Sequence, residues 1–359
     1  MPDLPRSSWR ALCLAVVCSL LPGCYYLQAA SGQIGLLLDR QDLEALVADP
    51  ATDETLRERL IRVRDARDFA HRQLLLPDNG SYTTYVELDR EFVVWNVFAA
   101  PEFSLAPKQW CFPVAGCVAY RGHFDEGRAR AEAARLADDG YDVHVGGVPA
   151  YSTLGRFRDP VLSSMFRSHP DDVVATIFHE LAHQVAYAPD DTTFNESFAT
   201  AVADIGMRRW FRHLGDAAAL TSYRHRRDVR RAFLDAAMAA RAELDALYTQ
   251  TDDATSLRAA KTRVFAGLAG RYRDIAADLG LAEVPAAPAS NAALIPFGSY
   301  HDLVAAFEEL LLRCGGELRP FYLAVTALAE LDDNDARRAA LAGERSESTL
   351  PAACRAQAN

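Results

Sequence analysis

The stretch Ile177-Phe178-His179-Glu180-Leu181-Ala182-His183-Gln184 decides how this 359-residue chain is read. At its centre is H-E-x-x-H. On a helix, His179 and His183 lie one turn apart on a shared face, where both imidazoles reach one metal ion. Glu180 points to the side of that pair, placed to take a proton from a metal-bound water without being a ligand itself. The flanks suit a helix: Ser168 as cap, Pro170 at the first helical position, Asp171 and Asp172 at the positive end. Val173, Val174, Ile177, Phe178, Leu181 and Val185 make that helix mostly buried. Chance copies of the motif fall on polar surface helices, so the apolar setting favours a metal site.

Zinc takes a third protein ligand and keeps a fourth position open. The residue six beyond His183 is Pro189, which excludes a third histidine there. Glu196 lies thirteen residues beyond His183, in Phe194-Asn195-Glu196-Ser197-Phe198-Ala199, at the start of a second helical run from Asn195 to Trp210. A Pro189-Asp190-Asp191 turn would fold that run back antiparallel and return Glu196 to the histidines. Two turns further on, Asp204 is placed to accept a ligand histidine's ring N–H, or stands as a solvated helix carboxylate. Thr193-Phe194-Asn195-Glu196 also fits a capping box, in which Glu196 would bond only the Thr193 backbone. Asp190 or Asp191 would then supply the carboxylate.

Arg6 and Arg10 precede an apolar run, Ala11 to Leu21, too short to span a bilayer and laid out like an export signal. The run ends in Leu21-Pro22-Gly23-Cys24, which resembles a bacterial lipobox. That resemblance implies cleavage before Cys24, acylation of Cys24 and anchoring by several chains. Tyr25, rather than aspartate, follows the cysteine, which implies the outer membrane, facing the periplasm. Removing residues 1–23 (Arg6 and Arg10 against Asp3) takes the formal charge from −11 to −12. An acidic chain argues against nucleic-acid binding. Cys111, Cys117, Cys314 and Cys354 remain, an even number in an exported chain. Proximity favours Cys111–Cys117 and Cys314–Cys354 disulfides, and the spacings do not suit a cysteine zinc site.

Residues 29–77 read as two helices. Tyr82–Val86, Phe92–Phe98, Cys117–Tyr120 and Tyr141–Val148 read as strands, and Phe124–Asp139 as an amphipathic helix. The edge of the last strand could take an extended peptide by strand addition. Beyond Trp210 the chain is nearly all helix, with Leu220–Tyr248 and Ala254–Leu279 as a long hairpin. It carries a basic run, Arg224, Arg226, Arg227, Arg230 and Arg231, that reads first as a solvated face and otherwise as a contact with anionic lipid. The expected fold is α+β, predominantly α: a signal at 1–23, a helical segment at 24–80, a zincin-like core at 81–214 and a helical part at 215–359.

The chain resembles a bacterial family of lipoproteins described as predicted aminopeptidases, from Cys24-Tyr25-Tyr26-Leu27-Gln28-Ala29 to the Phe321-Tyr322 region. The most specific blocks are Ala150-Tyr151-Ser152-Thr153-Leu154-Gly155, Phe178–Gln184 and Phe194–Ala199. The resemblance implies a gluzincin-like zinc peptidase with His179, His183 and Glu196 as ligands, Glu180 as base and a peptide as substrate. The glycine/methionine/glutamate/asparagine motif with which gluzincin aminopeptidases hold a free amino terminus is not visible. For the oxyanion, Tyr300 ranks first, with Tyr151 and His301 behind it; Tyr151, Ser152 and His301 are also candidate substrate contacts. His123, His144 and His169 read as structural or exposed. The rival is an envelope binding or scaffold module with a structural metal, weakened by Glu180, since a structural site needs no base.

Overall fold

The computed structural model describes residues 23–112, 116–150, 153, 155, 157–167, 169–250, 253–297, 303–344 and 351–354. The fold is α+β and predominantly α. The expected pair of N-terminal helices is three: α1 (Gly23–Leu38), α2 (Leu43–Ala48) and α3 (Glu54–Gln73). The short strand β1 (Gln41–Asp42) and the Asp42 and Asp53 side chains, which cap the next two helices, break the run.

β1 pairs antiparallel with β2 (Thr84–Val86). A second sheet centres on β3 (Val94–Pro101), flanked by two later strands. A two-stranded hairpin follows, β4 (Trp110–Phe112) and β5 (Gly116–Val118), joined by the Cys111–Cys117 disulfide. The strand expected at Cys117–Tyr120 ends with β5 at Val118, and Ala119 and Tyr120 lead into the separate strand β6 (Arg121–His123). Helix α4 (Glu126–Asp138) and strand β7 (Tyr141–Val148) come next, and β7 pairs with β3 from Val94↔Val148 to Pro101↔Tyr141. The order β6-β3-β7 makes β7 an edge strand. Alternate residues Trp95, Val97 and Ala99 turn to one face and pack on Ala129, Ala133 and Leu136 of α4. The backbone edge of β7 is engaged at Val143, whose carbonyl accepts from Ser290 Oγ.

β8 (Val161–Leu162) pairs parallel with β2, and a 3₁₀ turn at Ser163–Phe166 leads to α5 (Asp172–Ala182), which carries the H-E-x-x-H motif. α5 starts two residues later than expected. Asp171 is its N-cap residue and Pro170 precedes it; Ser168 lies outside the described residues. α5 packs chiefly on α3 and on α6 (Thr192–His213), while the β6-β3-β7 sheet keeps a small core of its own with α4. The close contact of α5 and α6 depends on Gly206. A Cβ there would stand 2.6 Å from the Phe178 ring and 2.8 Å from Leu74 Cδ1, so any side chain would push the two helices apart.

A long hairpin, α7 (Ala217–Tyr248) and α8 (Ala254–Asp278), closes a second core of Phe233, Ala237 and Leu244 on Leu268 and Tyr272. Helices α9 (Val304–Arg313), α10 (Leu318–Ala329) and α11 (Asn334–Ala342) finish the chain, and the Cys314–Cys354 disulfide holds the tail. The largest core runs from Leu36 through Leu60, Phe178 and Phe198 to Phe307, Phe321 and Cys354, so it draws on all three expected segments of the chain after residue 23. Among the described residues no helix is long and apolar enough to cross a membrane.

Candidate metal centre

The centre is built where the end of α5 meets the first turns of α6. His179 and His183 are four residues apart; the His183 N–H still donates to the His179 carbonyl at 3.3 Å, so the helical spacing holds to the second histidine. Asp190 turns the chain with φ 63°. Asp191 is the N-cap of α6, its Oδ1 accepting the Phe194 N–H at 3.0 Å. The cap is therefore not Thr193, which lies inside the helix. Glu196 stands beyond the third helical position that a capping box requires, so its carboxylate is free to face α5.

Three atoms converge. His179 Nε2 lies 3.2 Å from His183 Nε2 and 3.2 Å from Glu196 Oε2; His183 Nε2 lies 3.7 Å from the same oxygen. A tetrahedral zinc with bonds of about 2.0–2.1 Å sets neighbouring ligand atoms about 3.3–3.4 Å apart, so the triangle has the dimensions of three corners of that coordination shell. Two imidazoles and one carboxylate are also the donor set a catalytic zinc takes. The side chains of His179 and Glu196 keep 19% and 15% of their surface exposed, against 8% for His183, so the group opens toward solvent on one side.

The electrostatics fit a cation. Burial pushes the His183 imidazole down to about 4, which keeps its lone pair available. Burial alone would raise the Glu196 carboxyl, but the His179 hydrogen bond and both imidazoles hold it below its ordinary value. For His179, burial works downward and Glu196 outweighs it, giving a net rise. Burial pushes Glu180 up to about 7; His179 opposes that, while Glu196 and Asp159 add to it. Glu180 is not one of the three converging atoms.

The sequence left other parts unread. Asp159 is buried and cinches its loop, accepting from the Thr153 backbone N–H at 3.0 Å and the Thr153 hydroxyl at 2.7 Å. Its carbonyl accepts the Tyr82 N–H at 2.6 Å. Tyr82, expected to open a strand, takes a left-handed φ of 61° instead, costly for an aromatic residue. Its phenol is buried, its hydroxyl has no hydrogen-bond partner among the described residues, and burial together with the charges of Glu180 and Asp159 raises its pKa well above the usual value. The Asn79 amide donates to Gln184 Oε1 at 2.6 Å, just beyond the motif. Gly155 sits on that pair with φ 74°, where a Cβ would stand 2.7 Å from Asn79 Nδ2, so glycine is required there.

Asp204 does not reach the histidines. Its oxygens take the Tyr223 hydroxyl at 2.6 Å and Arg227 at 3.4 Å. Eight residues carry it about 80° around α6 from Glu196 and about 12 Å along the axis, toward α7. Asp190 and Asp191 are committed elsewhere: Asp190 accepts the Cys117 N–H at 2.7 Å, and Asp191 pairs with Arg337 at 2.7 Å. His123 is buried against Glu132 at 2.7 Å, His144 is half-buried against Phe98, and His169 is half-exposed beside Asp171. Tyr151, Ser152, Tyr300 and His301 lie outside the described residues, as does the side chain of Cys24, at the start of α1.

The Asp191–Arg337 pair is 2% exposed on both sides. Arg337, from α11, also donates to the Leu328 carbonyl at 3.1 Å and stacks 5.4 Å over Phe194. Removing one partner strands a buried charge at the cap of the helix that carries Glu196. Arg337→Met is expected to cost about 3 kcal/mol of stability, read from urea unfolding; a loss of under about 1 kcal/mol would show that Asp191 finds water instead.

A family model described as "Putative aminopeptidase" matches residues 24–341. No curated protein and no solved structure matches the chain.

Proposed function

Because this chain belongs to the family described as "Putative aminopeptidase", we propose that it is a gluzincin-like zinc peptidase of the bacterial cell envelope. His179, His183 and Glu196 would hold one zinc ion. The observation that carries this reading is the triangle of two Nε2 atoms and one carboxylate oxygen with Glu180 beside it. Zinc, when bound, supplies a Lewis acid for water and for the scissile carbonyl. Glu180 takes the proton of the attacking water and returns it to the leaving amine. A carboxyl held near 7 suits both directions of that transfer. His183 and Glu196 keep donor lone pairs turned inward. Burial and the charges of Glu196 and Asp159 keep the Glu180 carboxyl high. A structural metal would need no base between its ligands, so the scaffold reading leaves Glu180 without a role.

A mixed peptide library incubated with the zinc-loaded protein and read by mass spectrometry tests the proposal. Cleavage should stop on chelation and return with one zinc per chain; the new termini separate removal of single N-terminal residues from internal cuts. A loaded protein that leaves the whole library intact supports the scaffold module instead.

The envelope location rests on the N-terminal residues. Cys24 would carry the lipid after cleavage before it, on an outer membrane facing the periplasm. Cys24→Ser is expected to move the protein from the membrane fraction to the soluble one. Continued palmitate labelling of that variant would place the attachment elsewhere.

A further inference from the structure

The arginine run on α7 is not a uniform solvated face. Arg227 bonds Asp204, Arg231 pairs with Asp235 at 2.8 Å, and Arg226 shares itself between Ser222 Oγ at 2.8 Å and Asp171 at 3.5 Å. Arg230 makes no ion pair among the described residues. It stands at the edge of a cavity of about 600 Å³ between the α7–α8 hairpin and the segment 281–297. That volume lies within the range of small-molecule sites. Val229, Phe233, Leu234, Leu281 and Phe297 line it, with Pro285 and Pro296. Among the described residues, His225, Arg226 and Arg230 supply the charged or titratable nitrogen groups of the lining, and no acidic residue lines it. Tyr272 also lines it. It is 2% exposed, and its hydroxyl is buried without a hydrogen-bond partner among the described residues.

We propose that this cavity binds a single-chain anionic amphiphile, an acyl chain ending in a carboxylate or phosphate. The apolar walls take the chain, since burying each methylene is worth about 0.8 kcal/mol. The anionic head supplies what the lining lacks: a counter-charge for Arg230 and an acceptor for the Tyr272 hydroxyl. A neutral chain satisfies neither group, and a cationic one meets like charge at the rim. Nothing in this argument uses the metal centre, so its outcome is independent of the peptidase reading.

Calorimetric titration of the full-length mature protein with laurate, dodecyl phosphate and dodecanol, each kept monomeric, tests the proposal. Laurate or dodecyl phosphate should bind one per chain, at least tenfold tighter than dodecanol, and the preferred anion names the head group. Arg230→Glu, a change at an exposed position, should weaken the anion at least tenfold and leave dodecanol unaltered. Val229→Trp, which narrows the cavity, should weaken both at least tenfold. Its unliganded melting temperature controls for folding. Three results would each overturn the assignment: no binding of either anion, equal binding of laurate and dodecanol that Arg230→Glu leaves unchanged, or retention only on anionic vesicles that Val229→Trp leaves unchanged.

Discussion

Glu180→Gln is expected to lower kcat by about 10²–10⁴-fold while zinc stays at one per chain. The amide matches the carboxylate in size and fits the same half-buried place beside His179. It cannot accept the water proton at neutral pH, and it removes nothing from the triangle of donor atoms. Paired measurement of bound metal and peptide turnover separates the outcomes. Wild-type turnover would remove Glu180 from the mechanism. Loss of metal would make it part of the cage, against the geometry, in which the three converging atoms come from His179, His183 and Glu196.

Glu196→Gln is expected to weaken zinc by more than about a hundredfold, because even partners that only orient a metal ligand cost 10–100-fold when lost. The carboxylate is the one negative charge among the three donors, and two neutral imidazoles do not offset a dication. The control is Thr193→Ala. Thr193 lies within α6, and Asp191 does the capping, so this variant should bind zinc as the wild type does. A competition titration against a chromophoric chelator reads both. If Glu196→Gln keeps its zinc, a carboxylate outside the described residues or a water completes the site.

What was legible in the sequence is what local chemistry dictates. His179 and His183 are locked together by helical spacing alone. Glu196 could be returned to them because Pro189-Asp190-Asp191 can only turn, and Asp190 does so with φ 63°. The two disulfides followed from proximity along the chain. The helical hairpin followed from its length and periodicity, within three residues at either end. Asp204 failed on helix geometry: eight residues is not a whole number of turns. Tyr82 failed because an aromatic run predicts a strand, and no local signal announces a left-handed residue held by the Asp159 carbonyl 77 positions later. Arg337 carries no local signal at all: it is an arginine amid alanines on a short helix, and only the folded chain brings it to Asp191.

That last contact has a temporal side. Asp191 and Arg337 are 146 positions apart, and Phe307 and Phe321, which pack on Phe194 and Phe198, are also late in the chain. Translation delivers the helices of His179 and Glu196 long before it delivers the residues that brace the second one. A nascent chain therefore carries the motif before the residues that brace the helix of Glu196 are present. The three-residue cluster is therefore fully braced only once the carboxyl-terminal helices have been made and have packed against α6.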